Sequence, residues 1–328
     1  MNDAVPDPGT PGPEAAGSEP APVELVNRLR RYIETAHPRY YKGVCEARAV
    51  DERRFDAVVG RFLQWAVKAR GGDWIETMAD AYVVFTTDVN LEQVRYEASG
   101  RYSHQDYASC LAETYSRREV MNEYLWGVYL NNFLWAHHFR LACFFADRFL
   151  HALPDGPLRI VDIAYGHGAW GLWALAERPG ATLEGYDISA SARAIAGELA
   201  GAAGLSARAT YSTGNAMELE QLPPGTADVC ICCFLVEHLE DPARLFRNIA
   251  HLLRPGGKAF VAGALTAAQV DHIAEFRHES ELLRLGEAAC LRSLETISLA
   301  SERQLPHARF LPRSMGLILE KDERLARF

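Results

Sequence analysis

The chain is defined first by what it lacks. No apolar run reaches the roughly 20 residues needed to span a bilayer. The N-terminus has no basic stretch followed by an apolar one, so no secretory leader is expected. Positive charge is short: 34 Lys and Arg stand against 43 Asp and Glu, a net −9. That balance gives no global attraction to nucleic acid. Lysine occurs only at positions 42, 68, 258 and 321. The seven cysteines (Cys45, Cys110, Cys143, Cys230, Cys232, Cys233 and Cys290) are odd in number and show no zinc-like pair of pairs. They read as reduced structural thiols of a cytoplasmic protein. There is no internal repeat. The expected partner is a small-molecule substrate, with no nucleic acid and no membrane; a homodimer is left open.

What is present divides into three. Residues 1–22 hold six prolines among Gly, Ala, Asp and Glu, and bury too little apolar surface to order; a disordered tail is expected. Residues 23–156 carry helical periodicity and little strand signal. One amphipathic helix is expected over 23–36 and a second over 51–69, with Asp51 as its N-cap and Gly71-Gly72 as its stop. Shorter helices follow over 74–82 and 104–115, then a long one over 118–150. Residues 157–328 change pattern. Short apolar strands over 158–163, 182–186, 207–213, 229–234 and 258–264 alternate with helices. This order predicts an α/β fold, a doubly wound and mostly parallel sheet, with the helical region as a cap. Residues 294–299 and 309–320 read as an antiparallel pair closing one edge.

The most informative stretch is Asp162-Ile163-Ala164-Tyr165-Gly166-His167-Gly168-Ala169-Trp170-Gly171. It reads as strand, glycine-rich turn, helix, where a ligand meets bare backbone at a helix N-terminus. It matches the dinucleotide fingerprint GxGxxG, a weak signal alone. Asp187 ends the next strand, 21 positions after Gly166, where a carboxylate accepts both hydroxyls of a ribose. NAD and S-adenosylmethionine fit these residues equally.

Two further motifs separate them. Cys233-Phe234-Leu235-Val236-Glu237-His238-Leu239 follows the fourth strand, and Leu253-Arg254-Pro255-Gly256-Gly257-Lys258 precedes the fifth. With these, residues 157–265 resemble the class I S-adenosylmethionine-dependent methyltransferases and their Rossmann-like fold. The resemblance implies S-adenosylmethionine as cofactor. It implies that Asp162, Gly166 and Gly168 hold the methionine part and that Asp187 binds the ribose, with Ala164, Tyr165 and Ile188 counted among the cofactor-binding residues. Asn215 takes the adenine-facing place, Ala216 beside it is counted as cofactor-binding, and Cys233 and Phe234 lie near the cofactor. Ala164 departs from the family's usual glycine and tolerates close approach if its φ stays negative. Tyr165 replaces a smaller residue and is a candidate to fold over cofactor or substrate. His167 reads as an ordinary turn residue.

Methyl transfer is an in-line displacement that relies on positioning and on excluding water. A base is needed only for a protonated acceptor; no metal is required. On the long helix Tyr124, Asn131 and His138 are seven apart and share a face. Tyr129 and Trp135 lie beside them. His137 and His138 point about 100° apart, so one of them, His138, is expected at the pocket. The candidate catalytic residues are therefore His138, His238 and Tyr124. The candidate substrate residues are Tyr129, Asn131, Trp135 and Tyr41. His272, Glu275, His278 and Glu279 fall on an expected helix where a metal site is geometrically feasible, but a solvated face is the simpler reading.

The expected activity is methylation of carbon, nitrogen or oxygen in a small aromatic metabolite. The alternatives are a peptide or protein substrate, an NAD-dependent oxidoreductase, or a binding protein that kept the fold. No Tyr-x-x-x-Lys pair supports the oxidoreductase. The large cap disfavours a folded protein partner.

Overall fold

The computed structural model describes residues 20–322 other than 105, 112–114, 116 and 303–306. The expected tail therefore lies, up to residue 19, outside the described residues. None of the described helices is long and apolar enough to cross a membrane.

Helices α1 (Pro22–Ala36), α2 (Pro38–Arg48), α3 (Glu52–Arg70) and α4 (Trp74–Ser99) come first. Asp51 caps α3 by accepting from Arg54 N at 3.0 Å, and Gly71 ends it at a φ of 99°. The sequence reading left α2 unassigned and stopped α4 near Tyr82. Between Trp74 and Gly100 there is no glycine or proline, but Val83, Val84, Thr86 and Thr87 weaken the local helix signal. Packing overrides that weakness: α4 lies along α6 (Arg118–Leu134), and Gly127 permits the approach. A Cβ there would sit 2.7 Å from Ala81 O and 2.8 Å from Phe85 Cβ.

Between them, the helix expected over 104–115 contains α5 (Tyr107–Cys110), and its residues 105 and 112–114 lie outside the described residues. The single helix expected over 118–150 is broken. Trp135 is extended (φ −98°, ψ 132°), and α7 (Ala136–Phe144) starts afresh behind it, followed by a wider turn over Phe145–Phe149. No Pro or Gly marks the break.

The second part holds β1 (Leu158–Ile163), α8 (Ala169–Glu177), β2 (Ala181–Asp187), α9 (Ala190–Ala202) and β3 (Ala209–Thr213). Then come β4 (Ala227–Cys233), α10 (Pro242–Leu252), β5 (Leu253–Leu265), α11 (Glu279–Ala288), β6 (Leu291–Ala300) and β7 (Arg313–Lys321). The strand order is β3-β2-β1-β4-β5-β7-β6. The first five run parallel; β7 is antiparallel to both β5 and β6. The expected doubly wound sheet with an antiparallel edge is thus present. Connections diverge from β1 and β4, which places a crevice beyond their C-terminal ends.

The N-terminal helices share the sheet's own core. One apolar cluster runs from Leu29 and Phe62 through Phe133 and Phe145 to Trp170 and Phe260. Phe62 stacks on Phe133 at 4.6 Å, and Phe145 meets Phe260 edge-on at 4.9 Å. Helices α6 and α7 are held by this cluster directly above the crevice.

Candidate functional site

Three strands leave the sheet through strained residues. Ala164 after β1, Phe234 after β4 and Thr266 after β5 have φ of 54°, 57° and 49°. Ala164 thus does not keep the negative φ expected of it. Its N–H still donates to Tyr186 O at 2.7 Å, and that of Phe234 donates to Ala262 O at 2.8 Å, so the ladder runs on while the chain turns away. Left-handed non-glycine residues cost about 1–3 kcal/mol each and concentrate at functional sites. Ala164 and Phe234, with Ala267 just beyond Thr266, line one cavity of about 250 Å³ between the strand ends and α6.

At one end of the cavity stand two buried carboxylates. Asp187 accepts from Gly166 N and Ser189 N, both at 2.8 Å. Burial pushes its pKa up to about 6, against the pull of those two donors. Asp162 is pushed further, to about 8, by burial and then by the Asp187 charge. Its Oδ2 is buried without a partner. A Cβ on Gly171 would collide with that oxygen, so glycine there keeps the carboxylate in place. Asn215 lines the wall and caps the turn over Ala216–Gln221, its Oδ1 accepting from Met217 N at 2.9 Å. Ile188, Ala216 and Cys233 complete this end, with Ile188 exposed at the mouth.

Some expected contacts take other forms. Tyr165 borders the cavity, but its ring lies over Gly185 and against Tyr211 at 4.7 Å, and its hydroxyl donates to Ser212 O at 3.3 Å. It folds toward the sheet because Gly185 leaves room there. Gly168 does not reach the wall. Its φ of 75° shapes the turn, and a Cβ would sit 3.0 Å from Ala196 Cβ. His167 is more than a turn residue. It is buried, takes Ala169 N at 3.1 Å on Nδ1, and pairs with Asn132 at 2.9 Å on Nε2, tying the glycine-rich turn to α6. Burial pushes its pKa down to about 3, so it stays neutral.

The other end is built from several distant segments. His138 stacks against Phe234 at 5.0 Å and approaches Asn131 O at 3.3 Å through Nδ1. Burial, then the neighbouring His137, holds its pKa well below normal. Because the helix breaks at Trp135, His137 and His138 both line the cavity, against the expectation that only one would. His137 is also held by Glu302 at 2.9 Å. Asn131 Oδ1 and Trp135 Nε1 are buried in the wall without partners. Tyr124 accepts from Gln269 Nε2 at 2.7 Å, and burial with the Asp271 charge raises its pKa. Tyr115 donates to Asp271 Oδ2 at 2.9 Å and lies 3.0 Å from His238 Nδ1.

Two expected substrate residues are elsewhere. Tyr129 is buried inside the helical core, its hydroxyl donating to Phe62 O at 2.9 Å. Tyr41 lies under Arg30, which donates to its hydroxyl at 3.1 Å, and does not border the cavity. The helix expected over 272–279 is also absent; 266–278 is irregular, and α11 begins at Glu279. Glu275 turns outward to accept from Tyr96 and from Arg277 at 2.5 Å, and His278 precedes α11. His272 instead enters the cavity wall.

Sequence reasoning missed Tyr115, Gln269, Asp271 and Gln93. Gln93 pins the loop after β5, its Oε1 accepting from Ala268 N at 2.8 Å. No local pattern marks these residues. Glu237 carried a signal, since it sits inside the quoted Glu-His-Leu turn.

Residues 161–261 match the family described as a methyltransferase domain. A ubiquinone biosynthesis O-methyltransferase of Ralstonia nicotianae is 35% identical over 107 residues, 33% of this chain and 43% of that protein. The methyltransferase GfsG of Streptomyces halstedii is 28% identical over 119 residues, 35% of this chain and 41% of that one. The chain thus spans under half the length of the curated relatives it matches. Among solved structures, phosphoethanolamine N-methyltransferase 2 of Haemonchus contortus, in complex with S-adenosyl-L-methionine, aligns with a TM-score of 0.51 at 17% identity. It covers 67% of this chain and 61% of that one, and shows the shared fold. The chain carries a class I S-adenosylmethionine-dependent methyltransferase domain.

Proposed function

We propose that this protein transfers a methyl group from S-adenosylmethionine to a small, aromatic metabolite held under α6 and α7. The observation that carries the reading is one cavity whose lining is of two unlike kinds. Asp162 and Asp187 stand at one end; Asn131, Trp135 and His138 stand at the other. The partnerless Asp162 Oδ2 fits a cationic amino group, and Asp187 keeps lone pairs for two hydroxyls after binding Gly166 and Ser189. When bound, the donor supplies an electrophilic methyl whose bond to sulfur breaks as the acceptor's lone pair forms the new one.

This chain's residues then do three things. Asp187 and Asp162 orient the donor. The aromatic wall of Phe85, Trp135 and Phe234 excludes water and suits a flat acceptor. The imidazole of His138, kept neutral by burial, is placed to take the proton that a hydroxyl acceptor loses, and His238 lines the same cavity. Oxygen is the favoured acceptor atom, in line with the O-methyltransferases among the relatives.

The test is release of S-adenosylhomocysteine with a panel of phenols, amines and peptides. A methylated phenol supports the reading. Turnover confined to peptides, or none with any acceptor, overturns it.

A further inference from the structure

We infer that Glu237, His238 and His272 form a site for one divalent transition-metal ion in the cavity wall. Glu237 and His238 lie together on the short turn Val236–His238 that follows β4. His272 arrives from the irregular segment after β5. All three are more than nine-tenths buried, and one potential ligand atom of each lies within 4.8 Å of the other two.

Hydrogen bonding settles which atoms are free. His272 Nδ1 is 2.7 Å from Ala267 O and must donate its proton there. His238 Nδ1 is 3.0 Å from Asp271 O and must do the same. Each ring is thereby left with a bare lone pair on Nε2. The rings stand perpendicular at 4.8 Å. Glu237 Oε2 is buried without a partner. Two imidazoles, each with one nitrogen free to ligate, and one carboxylate with an unpaired oxygen thus gather out of water. Backbone donors act on the Glu237 carboxyl but leave Oε2 without a partner; a cation satisfies all three side chains at once.

The surroundings are those of a metal site. Metal-binding histidines typically donate the other ring N–H to a carbonyl or carboxylate, which fixes tautomer and orientation. Here Ala267 O and Asp271 O serve, with the Asp271 carboxylate held by Tyr115. Two imidazoles and one carboxylate favour a transition metal such as zinc over magnesium or calcium. Three protein ligands leave a coordination position open. All three line the cavity, so the open position belongs to the acceptor's space. The role given to the ion, lowering the pKa of an acceptor hydroxyl bound to it, rests on the proposed methyl transfer. The site itself rests on the three side chains alone.

The probe is cobalt(II), titrated into EDTA-stripped, dialysed full-length protein and followed by its visible absorbance. S-adenosylhomocysteine binding is measured calorimetrically on the same samples. One equivalent of cobalt is expected, displaced by zinc. Since outer-shell losses alone cost ten- to a hundredfold, His272→Ala and Glu237→Gln should each weaken cobalt binding at least about 100-fold. The His272→Ala protein should still bind S-adenosylhomocysteine, which certifies its fold. Wild-type protein that binds S-adenosylhomocysteine but no cobalt overturns the metal site and leaves the methyl-transfer reading standing. Cobalt binding without S-adenosylhomocysteine binding does the reverse. Cobalt binding undiminished in both variants overturns the ligand assignment.

Discussion

The two ends of the cavity are built by different rules. The Asp162–Asp187 end comes from neighbouring strand ends of one parallel sheet, and Asp187 is held by backbone donors of the adjoining turns, Ser189 two positions on and Gly166 21 positions back. The end under α6 draws on α4, α6, α7, the turn after β4 and the loop after β5, and its hydrogen bonds span large sequence separations: Tyr115 to Asp271, Gln269 to Tyr124. A local device can be kept while a distant one is changed. The first end therefore suits a constant ligand, and the second suits a variable one.

The sharpest way to break this division is Asp187→Ala. Two charge-assisted hydrogen bonds are lost, so affinity for S-adenosylhomocysteine should fall about a thousandfold, roughly 4 kcal/mol, by calorimetry. An unchanged affinity would remove this end's assignment. At the other end, His138→Ala should lower kcat about 100-fold while leaving S-adenosylhomocysteine affinity intact. A loss of both would mean that the two ends are not separable. Gly127→Val forces α6 away from α4 and should cost about 1–3 kcal/mol of stability by denaturant titration, with a raised acceptor KM.

The pH dependence sharpens the division further. Unliganded Asp162 holds its proton up to about pH 8, above its unfolded value of about 3.9. Its contribution to stability is therefore present below about pH 4 and is lost as pH rises through 8. A cationic donor favours the ionised form, so binding releases the proton. Donor affinity should rise from pH 6 to 8 and then level off, and Asp162→Asn should flatten the profile. The smallest effect is expected from Tyr129→Phe, which removes one buried hydrogen bond. It should cost about 1 kcal/mol of stability and leave the kinetics unchanged.

What the sequence disclosed follows the same line. The alternation of β1 to β5 with helices, the glycine-rich turn and Asp187 are local patterns, and the structure places them as read. Trp135 shows the limit. A helix period predicts a face only while the helix continues, and nothing local announces the break that brings His137 to the cavity beside His138. Tyr129 shows another: an aromatic beside a polar stripe is pocket or core according to what packs on it, here Phe62 and Trp126. Tyr115 and Asp271 meet across 156 positions, a distance over which no periodicity speaks.

The most direct test is a crystal structure of the full chain with S-adenosylhomocysteine. The account predicts ribose hydroxyls on the Asp187 carboxylate, the amino group at Asp162, and the sulfur turned toward His138 and Tyr124. Ligand density elsewhere, or adenosine at the α6 end with Asp187 untouched, would contradict it.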